Sequence, residues 1–493
     1  MTSEEQHGVV FPADESGQRS TTAVGRAVLA DALAPVDPVG SRAAAQETGW
    51  RSSYLVHFRR ALEAGLGSRA DALAIADAGL SSLHDRMTVR VDGDEWPIGE
   101  WFRQAQPTPP AQPARTALEQ LEVHGTGDSE RELTVPYHGE RLHGDGVRRR
   151  VEAWVTEGIA EPSLAEAVDA VLANPDWLRL DGHTVAVLGA GAEMGPLPSL
   201  LRWGARVAAV DLARPAIWDR VLKQAHGGAG TVVVPHPAGA PGQPGADLLA
   251  DGPVVADWLG TQPGRLVVGN YVYADGATNV RVSLAVDALS RRLTGERDDV
   301  ALAFLATPTD VFAVPGEAVA QSSSRYDGRS ARSRWMGRPL RTVSGGRLLR
   351  RQYVPGAAPG VNDSLVPQQG PNYALAKRLQ RWRATVAREA GTTVSMNVAP
   401  PTRTRSVVKN RGLAAAYGGA HRFGVEVFEP ATANVLMAAL LVHDLHTGGG
   451  PRHEEPWQDE AFAAVHGGLW RTPYAPRSAL GLAAVLGYGA ARG

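Results

Sequence analysis

The chain has 493 residues, room for about three ordinary domains or for one large α/β unit with additions. Its 50 basic and 52 acidic residues leave a net charge of −2, which argues against a polyanion-binding surface and so against a nucleic-acid partner. Cysteine is absent, which excludes disulfides, zinc–thiolate sites, iron–sulfur clusters and cysteine nucleophiles.

Residues 1–45 are polar, Ala/Gly-rich and without sustained periodicity, and they read as a mobile arm. The opening stretch has neither a basic segment nor an apolar run of the kind that directs secretion, so the expected compartment is the cytoplasm. Residues 46–177 form a mainly helical region. Tyr54, Leu55, Phe58, Leu62 and Leu66 recur at three- and four-residue spacing, and Ala70–Leu83 reads as a second helix. Gln104–Arg115 is a proline-rich joint.

The texture changes after Trp177, and residues 178–447 read as a Rossmann-like domain of α/β class. Short β-rich runs stand at Thr184–Leu188, Val207–Val210, Thr231–Val234, Leu266–Val268, Val300–Leu305 and Thr393–Val398. Helical segments separate most of them: Pro198–Trp203, Ala216–Gln224, Asn279–Leu293 and Tyr373–Ala390, with Ala431–Leu441 after the last. The alternation predicts a doubly wound parallel sheet with helices on both faces. Residues 311–370 interrupt it as an insertion or lid, with nine arginines between Arg325 and Arg351 against one acid, Asp327. Residues 448–493 are an appendix. The longest apolar run, Ala431–Val442, is too short to span a bilayer, so no membrane partner is expected.

Gly189, Gly191 and Gly195 follow the first of these strands and lead into a helix. Glycines permit a tight turn and close approach of the backbone to a ligand, and the helix N-terminus offers free N–H groups to a pyrophosphate. Asp211 ends the second strand, where a carboxylate can accept hydrogen bonds from both hydroxyls of an adenosine ribose. The spacing is G-x-G-x-x-x-G, with Glu193 in the turn. The adenosine belongs either to a nicotinamide cofactor or to S-adenosylmethionine, because the same segment also resembles the first motif of Rossmann-type methyltransferases.

Tyr373 and Lys377 are four apart on a predicted helix and share one face. An ammonium beside a phenol favours the phenolate and brings the tyrosine into range for proton transfer with a carbonyl or alcohol. Lysine is scarce, with 47 of the 50 basic residues arginine, so Lys377 is a candidate for a task that needs an ammonium.

The tract Gln369–Ser406, QGPNYALAKRLQRWRATVAREAGTTVSMNVAPPTRTRS, resembles the short-chain dehydrogenase/reductase family, in which a Y-x-x-x-K helix precedes a strand and a proline-containing loop. LDGHTVAVLGAG resembles the family's opening strand and turn, ATNVRVSLAVDAL its asparagine-bearing helix, and FEPATANVLMAALLVHDL its late helix. The resemblance implies Tyr373 as acid/base and Lys377 as its modulator. It implies Asn279 as the tie of a water chain to the lysine, and Thr307 as the hydroxyl that polarises the carbonyl, with Ser364 a rival. It places Gly189, Gly191, Gly195 and Asp211 on the adenosine half of the cofactor and Thr404 near the carboxamide. NAD is favoured if Asp211 faces the 2′-hydroxyl, while Arg214 nearby keeps NADP open.

The expected activity is therefore an NAD(P)-dependent oxidoreductase acting on a carbonyl or alcohol. The alternatives are a methyltransferase using S-adenosylmethionine and a non-catalytic nucleotide-binding protein. Histidine spacings give no metal site, and neither a G-x-S-x-G elbow nor a P-loop occurs. The partner is a small molecule, anionic if the arginine-rich insertion clamps it, and the N-terminal region and insertion shape its pocket or a homo-oligomer contact.

Overall fold

A computed structural model of the chain describes residues 7–103, 116–330, 335 and 339–488. The proline-rich joint at 104–115 lies outside them. The alternation of valine-rich runs and helices builds one seven-stranded sheet. Its members are β4 (Leu118–His124), β7 (His183–Leu188), β8 (Arg206–Val210), β9 (Thr231–Pro237), β10 (Arg265–Asn270), β11 (Val300–Ala306) and β14 (Thr393–Val398), in the order β14-β11-β10-β7-β8-β9-β4. The six strands from β7 on are mutually parallel and stand in the order 3-2-1-4-5-6 by sequence, the Rossmann-like doubly wound arrangement. β4 closes one edge antiparallel to β9, and its charged, mostly exposed residues give no strong strand pattern.

Both faces of the sheet are buried, and side chains alternate between them along each strand. Ala186, Leu188, Ala208, Val210, Val268 and Phe304 face one core. There the helices Thr21–Leu33, Trp50–Ala64, Arg69–Arg86, Ala277–Glu296 and Gly370–Glu389 pack. Val185, Val187, Val207, Ala209, Val267 and Ala303 face the other core, covered by Asp145–Thr156, Ser163–Ala173, Leu197–Trp203, Pro215–Gly227 and Pro430–His446.

The expected arm at 1–45 is a folded element from residue 7 onward. β1 (Gly8–Val10) pairs with β2 (Thr88–Val91), which pairs in turn with β3 (Asp94–Pro97). Ser20 caps the helix Thr21–Leu33, whose Val24, Val28, Leu29 and Leu33 enter the core; alanines between them dilute the periodicity in the sequence. The N-terminal helices brace the helix Gly370–Glu389 from behind. Gly79 leaves the space filled by the Trp382 indole, and buried Asp287 accepts from Arg383 at 2.6 and 2.8 Å and pairs with His84.

Between β4 and β7 stands a hairpin of β5 (Thr134–Tyr137) and β6 (Glu140–His143). In the 311–370 stretch, β12 (Val311–Val314) pairs with β13 (Gly360–Asp363) and the helix Gly316–Asp327 follows β12. The appendix enters the interior through His466, Trp470 and Arg471, with the buried Glu161 carboxylate gripping Arg471 at 2.9 and 2.6 Å and His466 at 2.9 Å. Its helix Pro476–Gly487 crosses Arg411–Gly419 where Gly419 and Gly487 let the backbones touch.

Candidate functional site

Parallel strands end together, so the loops after β7, β8, β10, β11 and β14 gather along one edge of the sheet. The turn after β7 begins with Gly189 at φ +87°, where a side chain would strike the Tyr271 backbone of the loop after β10. The Gly191 N–H donates to Asp211 Oδ2 at 2.8 Å, and the Leu212 N–H donates to Oδ1 at 2.8 Å. Asp211 thus braces the turn while each oxygen keeps a lone pair for a ribose hydroxyl. Gly195 is held through its carbonyl by Asn434 Nδ2.

Glu193 does not leave a bare negative charge in the turn. Arg405 grips it through its backbone N–H at 2.8 Å and its Nε at 2.6 Å, which joins the turn to the loop after β14. Beside the turn lies a cleft of about 630 Å³ bordered by Gly191, Glu193, Arg202, Arg220 and Arg405. The Arg220 guanidinium donates to the Gly191 carbonyl at 2.7 Å. Because the Gly191 N–H is already occupied, the anion-binding capacity here resides mainly in guanidinium groups. Those groups and the Asp211 lone pairs suit an adenosine pyrophosphate.

The second group lies around the helix Gly370–Glu389, where Tyr373, Thr307, Tyr417 and Tyr273 are neighbours. The rings of Tyr273 and Tyr373 meet edge-on at 6.3 Å. Burial raises the Tyr373 pKa above its ordinary value; the Thr307 hydroxyl opposes the shift, and Tyr417, Tyr273 and Asp310 add to it. This corrects the expectation of a phenol made acidic by its lysine. Lys377 Nζ donates to the Leu305 carbonyl at 3.2 Å and to Gln380 Oε1 at 3.1 Å, and Gln380 continues to Asn270 at the end of β10. Burial lowers the Lys377 pKa to about 8, with Asp310 acting against it.

The other expected residues divide. Thr307 shares a 2.8 Å hydrogen bond with Thr309 and stands beside the phenol. Asn279 is buried at the start of its helix, but its Oδ1 accepts from the Ala274 N–H at 3.2 Å and its Nδ2 has no partner among the described residues, so its hydrogen bond serves the loop after β10 rather than the lysine. Ser364 bonds Asn362 at 2.7 Å. Thr404 precedes the short helix Arg405–Lys409, with its hydroxyl on Ser406 at 2.9 Å.

Asp310 is absent from the sequence expectations. It is 1% exposed, and its carboxylate accepts from Arg378 at 3.0 Å, Arg381 at 2.7 Å and the Val311 N–H at 2.7 Å. Burial opposes its charge, and the two arginines more than offset that, holding its pKa below the carboxylate range. It locks the end of β11 to the tyrosine-bearing helix. Its partners are 68 and 71 residues away, so no local pattern marked it.

Sheet order and loop placement define a Rossmann-like α/β protein with a candidate dinucleotide edge. The chain matches no family model and no curated protein sequence. A structure with some likeness is a thiolation-reductase di-domain from an archaeal non-ribosomal peptide synthetase, at 10% identity and a TM-score of 0.28. The likeness covers 55% of this chain and 54% of that one, so the chain spans about half the length of that neighbour. Likeness at this level adds nothing to what the strand order establishes. No helix among the described residues is long and apolar enough to cross a membrane.

Proposed function

We propose that the chain is an NAD(P)-dependent oxidoreductase of short-chain dehydrogenase/reductase type that works in the direction of carbonyl reduction. The observation that supports this is the meeting of the Thr307 hydroxyl and the Tyr373 phenol, one turn from Lys377, on the edge that carries the glycine turn. Asp211 holds the adenosine ribose, Arg220 and Arg405 face the pyrophosphate, and Thr404 lies toward the nicotinamide end. The bound nicotinamide supplies the hydride. Thr307 donates a hydrogen bond to the substrate oxygen and polarises the carbonyl. Tyr373, kept protonated by its buried setting, then gives its proton to that oxygen as negative charge develops. Lys377, one turn along the same helix, anchors that helix to the end of β11 through the Leu305 carbonyl.

Titration calorimetry with NADH, NADPH and S-adenosylmethionine, alongside turnover of a panel of aldehydes and ketones, tests this. A nicotinamide cofactor should bind, and Tyr373→Phe should keep that binding while turnover falls about 10²–10⁴-fold. Binding of S-adenosylmethionine alone, or a Phe variant as active as the parent, would overturn it.

A further inference from the structure

The proposed reaction leaves the arginine-rich insertion and the C-terminal appendix without a task, and both border space next to Tyr373. Behind Thr309 lies a cavity of about 80 Å³ with a mainly apolar lining that includes Leu365, Val366, Phe423, Val425 and Leu480. Thr309 bonds Thr307, and Tyr417, another wall residue, is among the groups that act on the Tyr373 phenol, so the cavity adjoins the reacting hydroxyls. Its walls come from the end of the insertion, the loop after β14, and the crossed helices Arg411–Gly419 and Pro476–Gly487.

Tyr417, Phe423, Val425, Val427 and Tyr474 also border a wider basin of about 830 Å³. Arg325, Arg329 and Arg422 line it, and no carboxylate among the described residues lies within ion-pair distance of any of the three. Arg325 donates to the carbonyls of Arg471 at 3.1 Å and Glu157 at 2.5 Å. Arg329 lies over the Tyr326 ring at 3.3 Å and donates to Tyr474 Oη at 3.3 Å. Burial, then repulsion from Arg471, lowers the Arg325 pKa, so an anion in the basin would be stabilised. The acids of the basin do not meet that need. Glu426 is turned to Tyr137 Oη at 2.9 Å, and burial raises its pKa, while Glu157 meets Arg325 through its backbone carbonyl.

We propose that this site takes an amphipathic oxyanion, with a short apolar body in the cavity behind Thr309 and a carboxylate or phosphate group held by Arg325, Arg329 and Arg422. Its assignment as substrate rests on the proposed reaction, because only that reaction puts the carbonyl at Thr307 and Tyr373. The site itself rests on the cavity and the basin.

Calorimetric titration of the full chain with hexanoate, hexyl phosphate, hexanamide, acetate and inorganic phosphate tests it. The better of the two hexyl anions should bind at least about tenfold more tightly than hexanamide, as a charge-assisted pairing requires, and which one wins identifies the oxyanion. It should exceed its own short counterpart, acetate or inorganic phosphate, by roughly 50-fold, since each buried methylene is worth about fourfold and about three fit the cavity. Arg329→Gln with Arg422→Gln should remove the preference for anions and spare hexanamide. Leu480→Phe and Val427→Phe, each made separately in case one fails to fold, should remove the dependence on chain length. Equal binding of hexanamide and both hexyl anions, equal binding of long and short anions, or variants that behave as the parent would overturn the site. The two proposals fail separately. If the anions bind as described but no carbonyl is reduced, the reaction falls and the site stands; reduction without anion preference does the reverse.

Discussion

Replacing Asp310 by Asn removes one negative charge from the joint between β11 and the tyrosine-bearing helix while keeping its shape. The two arginines it serves are unequally provided for. Arg381 also holds Glu460 through bonds of 2.7 and 2.6 Å, whereas among the described residues Arg378 has no second carboxylate and its Nε already lacks a partner. The loss therefore falls on Arg378, a guanidinium only 3% exposed. Stranding one member of a buried pair costs about 3–5 kcal/mol, and the lower end applies because Arg381 remains paired. In urea, with a slope of about 3 kcal/mol/M, a 3 kcal/mol loss moves the unfolding midpoint by roughly 1 M. Tryptophan emission reports the transition, since Trp382 lies on the affected helix. Adding Arg378→Met removes the stranded charge and should restore most of the stability. A loss below about 1 kcal/mol for Asp310→Asn, or a double variant weaker than the single one, would refute this account of the joint.

Three further outcomes follow from particular contacts. With the Lys377 pKa near 8 folded and about 10.5 unfolded, the unfolded chain holds more protons between those values, so stability rises with pH across that window. Relative to Lys377→Met, the native protein should gain roughly 3 kcal/mol between pH 7 and pH 10.5, read from urea melts at both ends; a flat difference would show that the ammonium is solvated. Gly189→Ala would bring a methyl group to 2.9 Å from the Tyr271 carbonyl oxygen at φ +87°, so a loss of about 1–3 kcal/mol is expected by thermal unfolding, together with weaker binding of a nicotinamide cofactor. Gly419→Ala would push a methyl group into the Ala483 carbonyl and part the two C-terminal helices, which limited proteolysis of the 476–487 helix should reveal as faster cleavage.

The local pattern of the chain was enough to place the sheet strands from β7 to β14 and the helices between most of them, to within a few residues. A short valine-rich run closed by a glycine turn encodes a buried parallel strand by its own composition, as Val185–Leu188 with Gly189 illustrates. Local pattern did not mark the helix Gly252–Gly260, nor β4, whose mostly exposed LEQLEVH becomes a strand by pairing with β9. The close spacing of Tyr373 and Lys377 was legible for the same local reason, but their electrostatics were not. A pKa is set by what surrounds the group in space, and the surroundings come from Leu305, Thr307, Asp310 and Tyr417, residues far along the chain from both Tyr373 and Lys377. Periodicity and turn chemistry are properties of neighbours in sequence; burial, ion pairing and the shape of a cavity are properties of neighbours in space, and for this protein only the tertiary structure decided them.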